Sequence, residues 1–188
     1  MTKKFRLALS EDEKQYLLNL VRRSIAQRLD GDWREAESVA STLSSATLDM
    51  PLGAFVTLKK QGMLRGCIGS VVSDLPLRET IARMAQAAAF EDPRFPPLAE
   101  DEFAEIEVDI SVLGPVTQCD DVREIEVGRH GLIVRRGMQS GLLLPQVPVE
   151  WGWDRETFLS QTCRKAGLPE DAWKREGTQI LWFEAEVF

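Results

Sequence analysis

Polar and apolar residues alternate without a break over residues 105–112, in the order Glu-Ile-Glu-Val-Asp-Ile-Ser-Val. Side chains on an extended strand point alternately to its two faces. The pattern therefore predicts a strand with one buried face and one polar face, which is typical of an antiparallel sheet. The residues expected on the buried face are Ile106, Val108, Ile110 and Val112. The residues expected on the polar face are Glu105, Glu107, Asp109 and Ser111.

Further strands are predicted where short apolar runs are separated by turn residues. Residues 53–60 and 63–72 flank the dipeptide Gln61-Gly62, which predicts a hairpin. Residues 131–136 and 141–147 flank a second hairpin loop, and Pro145 is expected at a strand end or a sheet edge. A last strand is predicted over about residues 178–187.

Three helices are predicted from their start signals. Ser10 and Glu13 have the spacing of a capping box, and an amphipathic pattern follows to about residue 29, with Gly31 as its end. Pro76 opens a second helix and Asp154 caps a third. Strands joined mainly by hairpins outnumber these helices. The predicted class is therefore α+β, a mostly antiparallel sheet with about three main helices, in a single domain over residues 1–188.

The balance of 23 basic and 30 acidic residues gives a formal charge of −7. General nucleic-acid binding needs an excess of Lys and Arg, so that class is excluded. Three widely spaced cysteines are typical of free thiols in a reducing compartment. The N-terminal residues turn acidic before a signal peptide's apolar region can form, and no stretch approaches the roughly 20 apolar residues of a membrane span. We therefore expect a cytoplasmic protein.

The segment Arg65-Gly66-Cys67 is the main candidate for chemistry. Gly66 and Gly69 weaken a strand unless the backbone approaches something closely. If Gln61-Gly62 is a two-residue turn, Arg65 and Cys67 share one face, and a cation beside a thiol favours the reactive thiolate. The alternative is that Cys67 is a small buried apolar residue and the glycines form a bulge.

Other polar residues are weaker candidates. His130 is the single histidine, so a Cys–His nucleophilic pair would have to use it, although a histidine bonded to the backbone of a turn is the alternative. Arg94, held in a proline-rich loop, suits an anion contact that Arg65 would join, or else a salt bridge with Asp92. Gln146 is a polar group in an apolar stretch and needs a partner if it is buried.

Cofactor signatures are missing from the sequence. One histidine and no closely spaced cysteine pair predict no metal site. There is no dinucleotide fingerprint, no phosphate loop and no Gly-x-Ser-x-Gly nucleophile motif. We therefore predict no cofactor.

The segment Leu64-Arg-Gly-Cys-Ile-Gly69, preceded by Gly53-Ala-Phe-Val-Thr-Leu58, resembles the hallmark of the AMMECR family. Companion segments in the family's order extend the resemblance over essentially the whole chain. They are Asp92-x-Arg94-Phe95, Ile110-Ser-Val-Leu113, His130-Gly131-Leu132, Leu143-Leu-Pro-Gln-Val147, Glu150, Phe158-Leu159 and Cys163-x-Lys-Ala-Gly167.

The resemblance implies an α+β fold with a larger and a smaller subdomain, and it implies no particular reaction. Prokaryotic members resemble component A of the AmmeMemoRadiSam system, whose other parts are a Memo-like protein and a radical S-adenosylmethionine enzyme. These two are the expected partners. The implied site residues are Arg65, Gly66, Cys67, Gly69, Arg94, His130 and Gln146.

Three functions stay open at the level of sequence. In the first, Cys67 is a nucleophile or group carrier, assisted by Arg65 and His130. In the second, the chain is a non-catalytic module that binds an anionic ligand through Arg65 and Arg94. In the third, it is a scaffold for one of the two partners.

Overall fold

A computed structural model describes residues 7–29 and 43–188. The chain divides into two compact units. The N-terminal unit comprises Ala8–Leu113 together with Glu186–Phe188. The C-terminal unit comprises Gly114–Ala185, and Leu7 also belongs to it.

The N-terminal unit contains three antiparallel strands in the order β2–β1–β3. They are β1 (Gly53–Lys60), β2 (Met63–Ser70) and β3 (Ile106–Leu113). The predicted hairpin is confirmed, with β2 two residues shorter than expected. Gln61 and Gly62 have φ values of 55° and 74°, and this left-handed pair is the geometry of a two-residue hairpin turn.

A β-bulge interrupts the hairpin between Leu58 and Lys59 of β1. Lys59 pairs with Leu64 but Leu58 pairs with Gly66, so Arg65 is an additional residue without a directly opposite partner. Because strand side chains alternate, one extra residue moves all later residues of β2 to the other face. The bulge places Cys67 opposite Thr57, where regular pairing from the same turn would place it opposite Val56.

Two helices pack with this sheet. They are α1 (Glu11–Leu29) and α2 (Leu77–Phe90), of which α2 contacts β1 and β2 while α1 packs on α2. The capping box is confirmed, because the Ser10 amide donates to Glu13 at 2.7 Å and the Glu13 amide donates to Ser10 Oγ at 3.2 Å. The predicted helix end at Gly31 lies outside the described residues.

Strand β3 follows its predicted alternation, with one exception. Ile106, Ile110 and Val112 are buried and Val108 is half-buried. Ser111, expected on the polar face, is also buried. Its partner in the register is Phe55 on β1, the middle strand of the three.

The C-terminal unit contains four antiparallel strands in the order β6–β5–β7–β4. They are β4 (Thr117–Gln118), β5 (His130–Arg136), β6 (Gln139–Leu143) and β7 (Gln179–Val187). A later helix packs on β5 and β6, and Phe158 and Leu159 on it are fully buried in the core of this unit. The Asp154 cap is confirmed, since its Oδ1 accepts from the Thr157 amide at 2.8 Å.

The predicted strand over residues 141–147 is wrong in its second half. Strand β6 ends at Leu143, and a short helix α3 (Gln146–Glu150) follows before α4 (Arg155–Lys165). Pro145 already has helical dihedral angles, φ −64° and ψ −23°. Pro148 lies in the first turn of α3, where a missing backbone N–H costs nothing, so the prolines favour a helix start over an extended strand.

The fold is α+β with an antiparallel sheet, as predicted from sequence. Within residues 7–29 and 43–188, every helix is too short or too polar to cross a membrane.

Candidate functional site

Cys67 lies on β2 with its thiol half-buried. The hydroxyl of Thr57, directly opposite on β1, donates a hydrogen bond to Cys67 Sγ at 3.2 Å. In the N-terminal unit β2 is the outer strand. The Cys67 amide is one of those that point away from β1, toward the open edge. That amide donates to Asp92 Oδ2 at 2.8 Å. The sulfur and the main chain of Cys67 are therefore held by different neighbours.

Asp92 and Arg94 form a clasp on the outer edge of β2. The Asp92 carboxylate accepts from Arg94 Nε at 2.9 Å, from Arg94 Nη2 at 2.7 Å and from the Arg94 amide at 3.1 Å, in addition to the Cys67 amide. Arg94 Nη2 also donates to the Cys67 carbonyl oxygen at 3.2 Å. The predicted salt bridge between Arg94 and Asp92 is confirmed, and it is attached to the main chain of Cys67.

The electrostatics of the clasp follow from these contacts. Hydrogen bonds from the Arg94 guanidinium hold the pKa of the Asp92 carboxyl well below its usual range. The pKa of Arg94 is raised, first by Asp92 and also by attraction to the Cys67 sulfur.

Arg65 has a different partner. Its Nε and Nη2 donate to the Glu102 carboxylate at 3.1 and 2.8 Å, and its Nη2 reaches the Pro97 carbonyl at 3.4 Å. This bidentate bond lowers the pKa of Glu102 to about 2. The expectation that Arg65 and Cys67 share a face depended on regular alternation of side chains along β2 after the turn. The bulge at Arg65 interrupts that alternation. Arg65 and Arg94 instead flank the ring of Phe95, at 6.0 and 5.6 Å from its centroid.

The glycines of the motif allow close packing. A Cβ atom at Gly66 would overlap the carbonyl oxygen of Ala88 on α2, and one at Gly69 would overlap the ring of Phe55. The prediction that the backbone approaches other atoms closely at Gly66 and Gly69 is therefore confirmed. These atoms belong to the protein itself, and a role of either glycine in ligand binding stays a prediction.

His130 lies in the C-terminal unit, at the start of β5, and is buried. Its Nδ1 accepts a hydrogen bond from the Glu126 amide at 3.0 Å, and its ring lies 4.6 Å from that of Trp182. With the Nδ1 lone pair used in this way, a neutral imidazole carries its proton on Nε2. This arrangement favours the turn-bonded alternative. The pairing of His130 with Cys67 stays a prediction.

Gln146 is the first residue of α3, also in the C-terminal unit. Its Oε1 is buried and accepts no hydrogen bond from any described residue. A buried acceptor without a donor is unusual in folded proteins. Gln146 was predicted to need a partner if buried, because it lies in an apolar stretch. Since its Oε1 has none within the described ranges, Gln146 remains a candidate binding residue.

The other two cysteines lie in the core of the C-terminal unit. Burial, followed by the neighbouring charge of Asp120, raises the pKa of the Cys119 thiol to about 11. Burial also raises the pKa of Cys163, which is fully enclosed. Both thiols are disfavoured as nucleophiles at neutral pH, because thiolate is the reactive form.

Sequence reasoning missed three contacts of the motif. The contact of Thr57 with Cys67 could not be predicted, because regular hairpin pairing would place Val56 opposite Cys67. Asp92 was noted as a partner of Arg94, but its bond to the Cys67 amide has no sequence signal. Glu102 lies 37 residues from Arg65. In the described ranges no cluster of three or more His, Cys, Asp or Glu residues is placed to hold a metal ion.

Comparison with known proteins identifies relatives of this chain in sequence and in structure. The AMMECR1 family model matches residues 18–188. A protein of Thermococcus onnurineus is 43% identical over 190 residues, covering 96% of this chain and 91% of that one. Protein PH0010 of Pyrococcus horikoshii has the same identity and coverage. Its crystal structure matches with a TM-score of 0.81 at 42% identity, covering 95% of this chain and 92% of that chain. The chain therefore belongs to the AMMECR1 family.

Proposed function

We propose that this chain is a thiol-based catalyst or group carrier in which Cys67 forms the covalent bond. We further propose that it works with a Memo-like protein and a radical S-adenosylmethionine enzyme. The observation that carries the thiol proposal is the bond from the Thr57 hydroxyl to Cys67 Sγ at 3.2 Å, on a side chain that is not fully buried. A hydrogen bond to sulfur is strongest when the sulfur is negatively charged, which is the nucleophilic form.

The clasp adds a second favourable element. Arg94 holds a permanent positive charge against the Cys67 main chain, where its Nη2 donates to the Cys67 carbonyl oxygen at 3.2 Å, and Asp92 fixes it there through two side-chain hydrogen bonds. A fixed cation stabilises negative charge that develops on a nearby nucleophile. Because Asp92 also binds the Cys67 amide, the sulfur-bearing backbone and the cation are attached to one carboxylate.

The alternative, a non-catalytic anion-binding module that uses both arginines, is less well supported. Arg65 uses Nε and Nη2 for Glu102, and its side chain is only 11% exposed. A guanidinium enclosed to this degree has little surface to offer a ligand. Arg94 alone keeps an exposed edge.

Alkylation at pH 7 tests the thiol proposal. With iodoacetamide the sulfur forms a bond to carbon as the carbon–iodine bond breaks, iodide leaves with the electron pair and the thiol proton passes to the buffer. We expect Cys67 to react at least as fast as a free thiol such as 2-mercaptoethanol. Cys119 and Cys163 serve as buried controls in the same chain, and peptide mass spectrometry reads all three. If Cys67 is as slow as the buried pair, the proposal is wrong.

The partnership is tested separately. Purified full-length chain is passed over each immobilised partner, the Memo-like protein and the radical enzyme. Retention on at least one of them, and loss of retention in competition with free partner, supports the proposal. Failure to bind either partner contradicts the partnership but leaves the thiol site standing.

A further inference from the structure

The two members of the Asp92–Arg94 pair differ sharply in exposure. The Asp92 side chain is 2% exposed, whereas that of Arg94 is 54% exposed. The carboxylate is also fully used, because it accepts four hydrogen bonds from the Cys67 amide and from Arg94. A molecule that approaches from solvent therefore meets the cation of this pair first. The negative charge lies behind it.

Part of the Arg94 guanidinium is uncommitted. Its Nε and Nη2 face Asp92, and Nη2 also binds the Cys67 carbonyl. Nη1 takes part in none of these bonds and has no hydrogen-bond acceptor among the described residues. Guanidinium groups bind carboxylates and phosphates through such N–H donors.

The other charges near Cys67 do not compete for this role. Arg65 is nearly enclosed and is paired with Glu102. Lys59, two residues from Thr57 on β1, forms an ion pair with Asp109 of the adjacent strand β3. Arg94 is therefore the cation that combines exposure with attachment to the Cys67 main chain.

We propose that the substrate of Cys67 is an electrophile that carries a carboxylate or phosphate group, which the outer edge of Arg94 binds. This inference rests on the proposed thiol chemistry. In the reaction the sulfur forms a bond to the electrophilic carbon, the leaving group departs with the electron pair of its bond, and the thiol proton goes to solvent. The anionic group itself is unchanged and serves only to place the carbon near the sulfur.

Two alkylating reagents test the inference on the full chain. Iodoacetate and iodoacetamide share the reacting carbon and the leaving group and differ in charge. The measured quantity is the ratio of their rates at Cys67, divided by the same ratio for 2-mercaptoethanol. We expect this normalised ratio to be about threefold above one, the Coulomb effect of a unit charge about 6 Å away in water.

Variants and salt identify the source of the preference. Arg94→Gln should bring the normalised ratio to one or below, because it also leaves the Asp92 carboxylate without its counter-ion, and Arg94→Lys should retain part of the preference. Arg123→Gln is the matched control, because Arg123 makes the same bidentate bond to a carboxylate two residues earlier, at Asp121. It should leave the ratio unchanged. In the unmodified protein the preference should shrink as salt rises from about 0.05 to 0.5 M, because screening weakens exposed charges.

The outcomes separate this inference from the thiol proposal. Fast iodoacetamide alkylation with a normalised ratio of one, insensitive to salt, overturns the anionic substrate and leaves the thiol proposal intact. If neither reagent modifies Cys67, both are overturned. The salt series needs no variant, so the inference can be rejected even if Arg94→Gln does not fold.

Discussion

The Cys67 amide donates a hydrogen bond to the Asp92 carboxylate at 2.8 Å. This bond joins the outer strand of a sheet to the loop that follows α2, 25 residues later in the chain. It satisfies an amide that no neighbouring strand of the N-terminal unit can reach. The same carboxylate orients Arg94, so one buried group binds both the edge strand β2 and the cation that contacts the Cys67 carbonyl.

Asp92→Asn should lower the free energy of unfolding by about 2 kcal/mol, because an amide cannot accept all four hydrogen bonds and leaves charged or buried donors unpaired. Urea unfolding measures the difference. The matched control is Asp121→Asn, which removes the same type of bidentate pair where the carboxylate side chain is 34% exposed. Its cost should stay below about 1 kcal/mol. Equal costs would contradict the structural role given to Asp92.

Gly66→Ala should destabilise the chain by about 3 kcal/mol, because the added methyl group overlaps the backbone of α2, which cannot move without repacking. Gly152→Ala is the comparison. Gly152 has open space around it and a φ of 64°, so an alanine there carries only left-handed strain, about 1 kcal/mol. Thermal unfolding of the two variants should rank them in this order. The reverse order would show that α2 does not lie tightly on β2.

Glu102→Gln should remove a pH-dependent part of stability. The folded pKa of Glu102, about 2, is below its ordinary value of 4.5, so the ionised form stabilises the fold. That contribution is complete above about pH 5 and is lost as pH falls toward 2. The difference in unfolding free energy between the two proteins should therefore be constant near neutrality and shrink in acid. A difference that stays constant down to pH 2 would contradict this role of Glu102.

Thr57→Val should slow the alkylation of Cys67 by about threefold, the effect of losing one hydrogen bond to the reacting atom. Thr57→Ser keeps the hydroxyl and should react like the unmodified protein. Iodoacetamide rates at pH 7, read by mass spectrometry, provide the measurement. An unchanged rate in the valine variant would show that the bond to Sγ does not promote reactivity.

His130→Asn should leave the alkylation rate of Cys67 within about twofold of the original, because an asparagine carbonyl can replace Nδ1 as acceptor for the Glu126 amide. The Nδ1 bond already uses the nitrogen that a base would need. A rate that falls tenfold or more, with stability retained, would instead support the Cys–His pair.

Local signals in the sequence determined most of the secondary structure. The capping box at Ser10 and Glu13 and the cap at Asp154 mark helix starts correctly, because each depends on atoms within one turn. The turn at Gln61 and Gly62 likewise defines the hairpin, since two successive left-handed residues form the turn that two-residue hairpins favour. The motif around Cys67 and its resemblance to the AMMECR family were also readable from residue order.

The tertiary structure decided what surrounds the candidate site. Whether Cys67 faces Val56 or Thr57 depends on the bulge at Arg65, and alternation along a single strand cannot show a shift in pairing between two strands. Which arginine contacts the Cys67 main chain depends on carboxylates 2 and 37 residues away in sequence, since Asp92 orients Arg94 and Glu102 binds Arg65. Sequence thus determines which residues are candidates for the site, whereas the register of two strands and the packing of a distant loop decide which of them meet.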